Sequence, residues 1–88
     1  MLVRYFAAAR AAAGVEEELH ALPEGTSLEG LLEAALAVER PTPPEGTPSL
    51  ARIVARSSFL RNEVAVRDHS APLGADDVID VLPPFAGG

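Results

Sequence analysis

Apolar residues recur along this chain in two periods, and the changes between them mark its elements. Residues 2–9, LVRYFAAA, open with β-branched and aromatic side chains and are predicted as a strand. The following ARAAAG reads as a helical turn by alanine propensity, closing at Gly14. VEEELHAL at 15–22 fits either a strand or a helix. A second strand paired with the first is preferred, because Pro23-Glu24-Gly25 stops it sharply. Next comes the clearest helix. Thr26 and Glu29 match a capping box, in which each side chain satisfies an unpaired N–H. Leu28, Leu31, Leu32, Ala35 and Leu36 then fall on one stripe, and Pro41 ends the run. Gly30 is expected to allow close packing on a sheet.

Residues 40–48, RPTPPEGTP, form a loop too rigid and polar to be core. SLARIVARS at 49–57 is a short helix with Leu50, Ile53 and Val54 on one side. FLRNEVAV at 59–66 reads as one strand and VIDVL at 78–82 as another, with turn chemistry from Pro72, Gly74 and Asp76-Asp77 between them. The order β-β-α-(short α)-β-β belongs to the α+β class. It fits a β-grasp, or ubiquitin-like, mixed sheet wrapped on one main helix. Alternation puts Val3, Tyr5 and Ala7 on one face of the first strand and Leu2, Arg4 and Phe6 on the other. In the last strand Ile79 and Val81 oppose Asp80 and Leu82. The sets holding Arg4 and Asp80 are expected to face water, leaving Phe6 and Leu82, with Ala65 beside them, as an apolar patch for a partner.

Composition narrows the function more than the fold. At 88 residues the chain is expected to be one small domain, 1–88, with 83–88 a flexible carboxyl-terminal tail. Roughly 60–65% of its unfolded surface can be buried, which favours a binding or carrier module over an enzyme with a deep pocket of its own. A net charge of −6 argues against a nucleic-acid partner, which needs a clustered basic surface. With no Cys, disulfides, thiolate metal sites and Cys nucleophiles are excluded. All seven basic residues are Arg, so no lysine amine is present to capture an activated carboxylate. Between Arg4 and Arg10 the uncharged run is too short for a signal peptide, and no stretch approaches a membrane span, so a cytoplasmic protein is expected.

The chain closes LPPFAGG. Pro83-Pro84 stops sheet pairing and stiffens the exit, Phe85 offers one anchor, and Ala86-Gly87-Gly88 is thin enough to thread a narrow channel. Its company makes it specific. VRYFAAARAAAG at 3–14, LPEGTSLEGLLEAAL at 22–36, Asn62, and APLGADDVIDVLPPFAGG at 71–88 together resemble the molybdopterin synthase small subunit of the MoaD/ThiS sulfur-carrier family. The resemblance covers nearly all of the chain outside 40–48. It departs at Arg61, where a Val usually precedes the Asn, at Ala75-Asp76-Asp77, where the acidic turn is usually Gly-Asp, and at Phe85, where a smaller aliphatic residue is commoner.

The resemblance implies a sulfur carrier for molybdenum cofactor synthesis, a non-catalytic subunit rather than an enzyme alone. A ubiquitin-activating-type adenylyltransferase uses ATP to activate the carboxylate of Gly88, and a sulfurtransferase system converts it to a thiocarboxylate. The tail, passing by Ala86 and Gly87, then delivers sulfur inside the large subunit of the synthase. Phe6, Leu82 and Phe85 are the implied partner-binding residues. Carriers for thiamine or cysteine synthesis, and a ubiquitin-like protein modifier, remain alternatives. No G-x-G-x-x-G or P-loop pattern occurs, so no cofactor is expected on this chain. His20 and His69 lack a second ligand at metal spacing and read as exposed. Glu16-Glu17-Glu18 reads as a solvated charge run, and Asp76, Asp77 and Asp80 as turn and surface residues.

Overall fold

Strand β1 covers Leu2–Tyr5 in a computed structural model that describes residues 1–84. The strand predicted over 2–9 is therefore cut short, and Ala7–Ala13 form helix α1. Alanine loses no side-chain entropy in a helix, so the run AAARAAA turns helical as soon as sheet pairing ends. The changeover is abrupt: Phe6 is still extended, and Ala7 has φ +49°. Ala9, Ala12 and Ala13 make the buried face, and Gly14 closes the helix in the left-handed conformation, its N–H donating to the Arg10 carbonyl at 2.9 Å.

Strand β2 is Glu17–Leu19, the core of the predicted 15–22, and it pairs antiparallel with β1 as expected. Helix α2 spans Leu28–Ala37. Its cap is Ser27 rather than Thr26: the Ser27 hydroxyl accepts from the Gly30 N–H at 3.1 Å, while the Thr26 hydroxyl donates back to the Pro23 carbonyl. Gly30 serves the cap and not the sheet, since a Cβ there would lie 2.9 Å from the Thr26 methyl. Leu28, Leu31 and Ala35 are buried, Leu32 partly so, and Leu36 is exposed.

Helix α3 is Leu50–Val54, capped by Ser49, and buries Leu50, Ile53 and Val54 as the sequence indicated. The strand predicted over 59–66 is a hairpin. Strand β3, Ser58–Arg61, turns through Asn62 and Glu63 into β4, Val64–Ala65. Both turn residues have positive φ, +49° and +71°, the geometry whose twist suits two antiparallel strands. Strand β5 is Val78–Leu82, and pairing stops at Pro83.

The five strands lie in the order β2-β1-β5-β3-β4. Only β1 and β5, at the centre, are parallel. This is the expected ubiquitin-like β-grasp. One sheet face carries Val3, Tyr5, Phe59, Ile79 and Val81 into a core shared with Leu28 and Leu31 of α2 and the buried sides of α1 and α3.

Polar residues fix two places where the sequence pointed to plain surface. Glu18 is no solvated charge, since its side chain is only 18% exposed. It takes both Arg40 terminal nitrogens at 2.7 Å, the Tyr5 hydroxyl at 2.9 Å and His20 Nε2 at 2.8 Å. Arg40 also donates to the carbonyls of Ala13 and Ala35 and lies over the Tyr5 ring. The start of the proline-rich loop is thus fastened to α1, α2 and β2 at once. Arg40, aided by His20 and Tyr5, holds the Glu18 carboxyl down at about 2, and burial raises the Tyr5 hydroxyl. His20, expected to be exposed, is largely covered, and His69 is half-buried edge-on against Phe59. At the turn before β5, Asp77 accepts from Arg61 Nε, Asn62 Nδ2 and the Gly74 N–H within 2.9 Å. Those bonds, Asn62's first, hold its carboxyl below the usual range.

Candidate functional site

Strand register fixes what the open face of the sheet presents. Arg4 pairs with Glu17 on one side and Asp80 on the other, Asp80 with Leu60, and Leu60 with Ala65. These residues form one row across all five strands, because register partners share a face. One step along, Leu82 lies beside Ser58, and Phe6 extends β1 on the same face as Arg4. Tyr5 pairs with Val81, so the parallel register carried on by one residue sets Phe6 alongside Leu82. Phe6 is 40% exposed, while Leu60 and Leu82 are half-buried.

Asp80 departs from the expected exposure. It is only 5% exposed, covered on the open face by the Arg4 guanidinium in a two-point contact of 2.6 and 2.9 Å. Bidentate pairing fixes the guanidinium relative to the Asp80 carboxylate. The hydrogen bond and charge of Asp80 raise the Arg4 pKa further. The ion pair therefore lies beside Leu60 and the Phe6–Leu82 pair with its carboxylate covered and its guanidinium partly open to solvent.

Strand β5 runs toward the Phe6 end of this face, so the chain leaves the sheet beside the patch. Pro83 and Pro84 follow, the first half-buried and the second exposed. Proline fixes φ and offers no N–H, so neither residue extends the ladder. Phe85, Ala86, Gly87 and Gly88, to which the sequence assigns partner anchoring, tail passage and the reacting carboxylate, lie outside the described residues. Phe6 and Leu82 come together on the open face. Leu60 joins them, and the sequence reading missed it because an unbroken strand over 59–66 gives no register for its neighbours. The buried Phe59 next to it was the available signal.

A mixed five-stranded sheet over one main helix, with the last strand delivering its end beside an apolar patch, defines a β-grasp domain of the ubiquitin-like kind. The family model for the ThiS family matches residues 3–88, and the chain belongs to that family of sulfur carriers. Among solved structures, SAMP1 from Haloferax volcanii superposes with a TM-score of 0.77 at 21% identity, covering 100% of this chain and 98% of that one, a likeness of fold. A Pyrococcus furiosus protein described as subunit 1 of molybdopterin converting factor gives 0.71 at 28% identity, covering 96% and 95%. A chain of the Helicobacter pylori complex between subunits 1 and 2 of molybdopterin-converting factor gives 0.59 at 25% identity, covering 99% and 96%. No curated protein sequence gives a significant match.

Proposed function

We propose that this carrier serves molybdenum cofactor synthesis as the small subunit of a molybdopterin synthase. Its Gly88 carboxylate is adenylated by a ubiquitin-activating-type partner at the expense of ATP, converted to a thiocarboxylate by a sulfurtransferase system, and presented to the large subunit. The observation that carries this reading is the placement of the Pro83–Pro84 exit beside Phe6 and Leu82. An exposed aromatic at the mouth of a stiff exit gives a partner a surface to grip while the thin end of the chain enters its active site. The Helicobacter pylori relative, described in complex with subunit 2, supports a large-subunit partner.

In this account Gly88 is a substrate presented to other enzymes and not a catalytic group. Gly87 and Ala86 keep the threading segment narrow, Phe85 anchors it, and Phe6 with Leu82 and Leu60 holds the body in place. The direct test mixes thiocarboxylated chain with the large subunit and cyclic pyranopterin monophosphate. Loss of sulfur from the carrier with formation of a dithiolene supports the pterin route. A carrier that keeps its sulfur there, yet yields it to a thiazole- or cysteine-forming system, overturns it.

A further inference from the structure

The other flank of the tail exit carries a feature the open face does not explain. Pro83 and Pro84 line a groove of about 140 Å³ together with Ala8, Pro48 and Ile53. An apolar cavity of about 150 Å³ holds a benzene ring, so the groove has room for one bulky apolar side chain. Arg52, in α3, and Arg56, in the turn that follows it, both line this groove. Both are exposed, and neither has a carboxylate partner among the described residues. Arg4, Arg10, Arg40 and Arg61 are each paired with an acid. In a chain of net charge −6, two neighbouring unpaired guanidiniums beside the exit are a local reversal of sign.

We propose that this groove is a second docking point for the large subunit that receives the tail, and that it takes an acidic segment carrying one bulky apolar side chain. The side chain fills the space over Ala8 and Ile53, and carboxylates beside it pair with Arg52 and Arg56. Charge complementarity favours an acidic occupant, because a basic one meets two guanidiniums with no carboxylate between them. Continuity with the tail exit favours the tail-receiving protein: the open-face patch and the groove lie on either side of Pro83–Pro84, so one protein surrounding the tail meets both. Two contacts flanking the exit fix the direction in which the chain end leaves, which one patch leaves free to pivot.

The inference rests on the proposed delivery of the tail to a large subunit. Its test is titration calorimetry of the full chain with the large subunit from the same organism. Arg52→Glu/Arg56→Glu is expected to weaken binding by about tenfold or more and to flatten its salt dependence, and Arg67→Glu, half that change of charge at an exposed site elsewhere, to change it by less than about twofold. Ala8→Leu, which fills the groove from an exposed helical position without altering charge, is expected to weaken binding comparably. Wild-type affinity in all these variants, with binding itself intact, overturns the groove and leaves the proposed function standing. Dependence on Arg52 and Arg56 that vanishes when residues 85–88 are removed overturns it too, since the arginines then serve this chain's own end. No binding by the wild-type chain sinks both.

Discussion

Arg4 and Asp80 face each other across the central parallel strands, Nε to Oδ1 at 2.6 Å and Nη2 to Oδ2 at 2.9 Å, within the face that also presents Phe6, Leu60 and Leu82. Removing the guanidinium alone leaves a covered carboxylate with no counter-ion, which is worse than having neither group. Arg4→Met is therefore expected to lower the thermal midpoint clearly, and Arg4→Met/Asp80→Leu to recover most of the loss. Melting followed by circular dichroism checks this. A single variant as stable as the wild type contradicts the role of the pair.

The Glu18–Arg40 contact predicts a pH dependence. Glu18 titrates near 4.5 when unfolded and at about 2 in the fold, so its carboxylate form is the one the fold favours. Its contribution is complete above about pH 4.5 and is lost as pH falls toward about 2. Glu18→Gln is expected to cost about 1.5–3 kcal/mol at neutral pH, the range for hydrogen bonds to a charged group. The gap between wild type and variant should narrow on acidification. Asp77, also held low, titrates in both proteins and drops out of the difference. Urea midpoints between pH 7 and 3 read the effect, and a gap independent of pH contradicts it.

The β3–β4 turn places Glu63 at φ +71°, where a side chain with Cβ is strained and glycine is not. Glu63→Gly is expected to raise stability by about 0.5–1 kcal/mol after the extra freedom of the unfolded glycine is allowed for. Asn62→Ala is expected to cost about 1–2 kcal/mol, since Asn62 donates to Asp77 at 2.9 Å and accepts from the Val78 N–H at 3.0 Å. Denaturant unfolding of both variants tests the turn, and the opposite order of stabilities contradicts it.

Phe6 supplies a separate handle on binding. It lies outside the buried core cluster, so Phe6→Ala should lower the melting temperature only modestly, by less than truncation of the buried Phe59. Binding to the large subunit is expected to weaken by about tenfold or more, the usual loss for an aromatic anchor at an interface. Unchanged affinity contradicts the open face as a docking surface.

Much of this was legible in the sequence because local and tertiary demands agreed there. VIDVL is a short, mostly apolar β-branched run with a proline stop, and it forms β5 as read. The apolar stripe of α2 and the buried side of α3 were visible for the same reason. The failures have physical causes. The strand at 2–9 was overrun by alanine propensity, which wins once pairing with β2 ends. The 59–66 hairpin was hidden because Asn62-Glu63 lacks the glycine that usually marks such a turn. Glu18 was read as solvent-facing because its partners Arg40 and Tyr5 lie far away in sequence and meet it only in the fold, and His20 is covered through its own contact with Glu18. On the open face, Phe6 and Leu82 followed from alternation, whereas Leu60 needed the register with Asp80.

The central claim is that Gly88 is made to carry sulfur. Intact-mass spectrometry of the protein isolated from its native host, with the activating and sulfur-transfer enzymes present, measures this directly. The account predicts a second species heavier by the difference between sulfur and oxygen, absent when Gly88 is deleted. A population made only of unmodified chains under those conditions contradicts it, as does recovery of the chain chiefly in conjugates that leave Gly-Gly on lysines of other proteins.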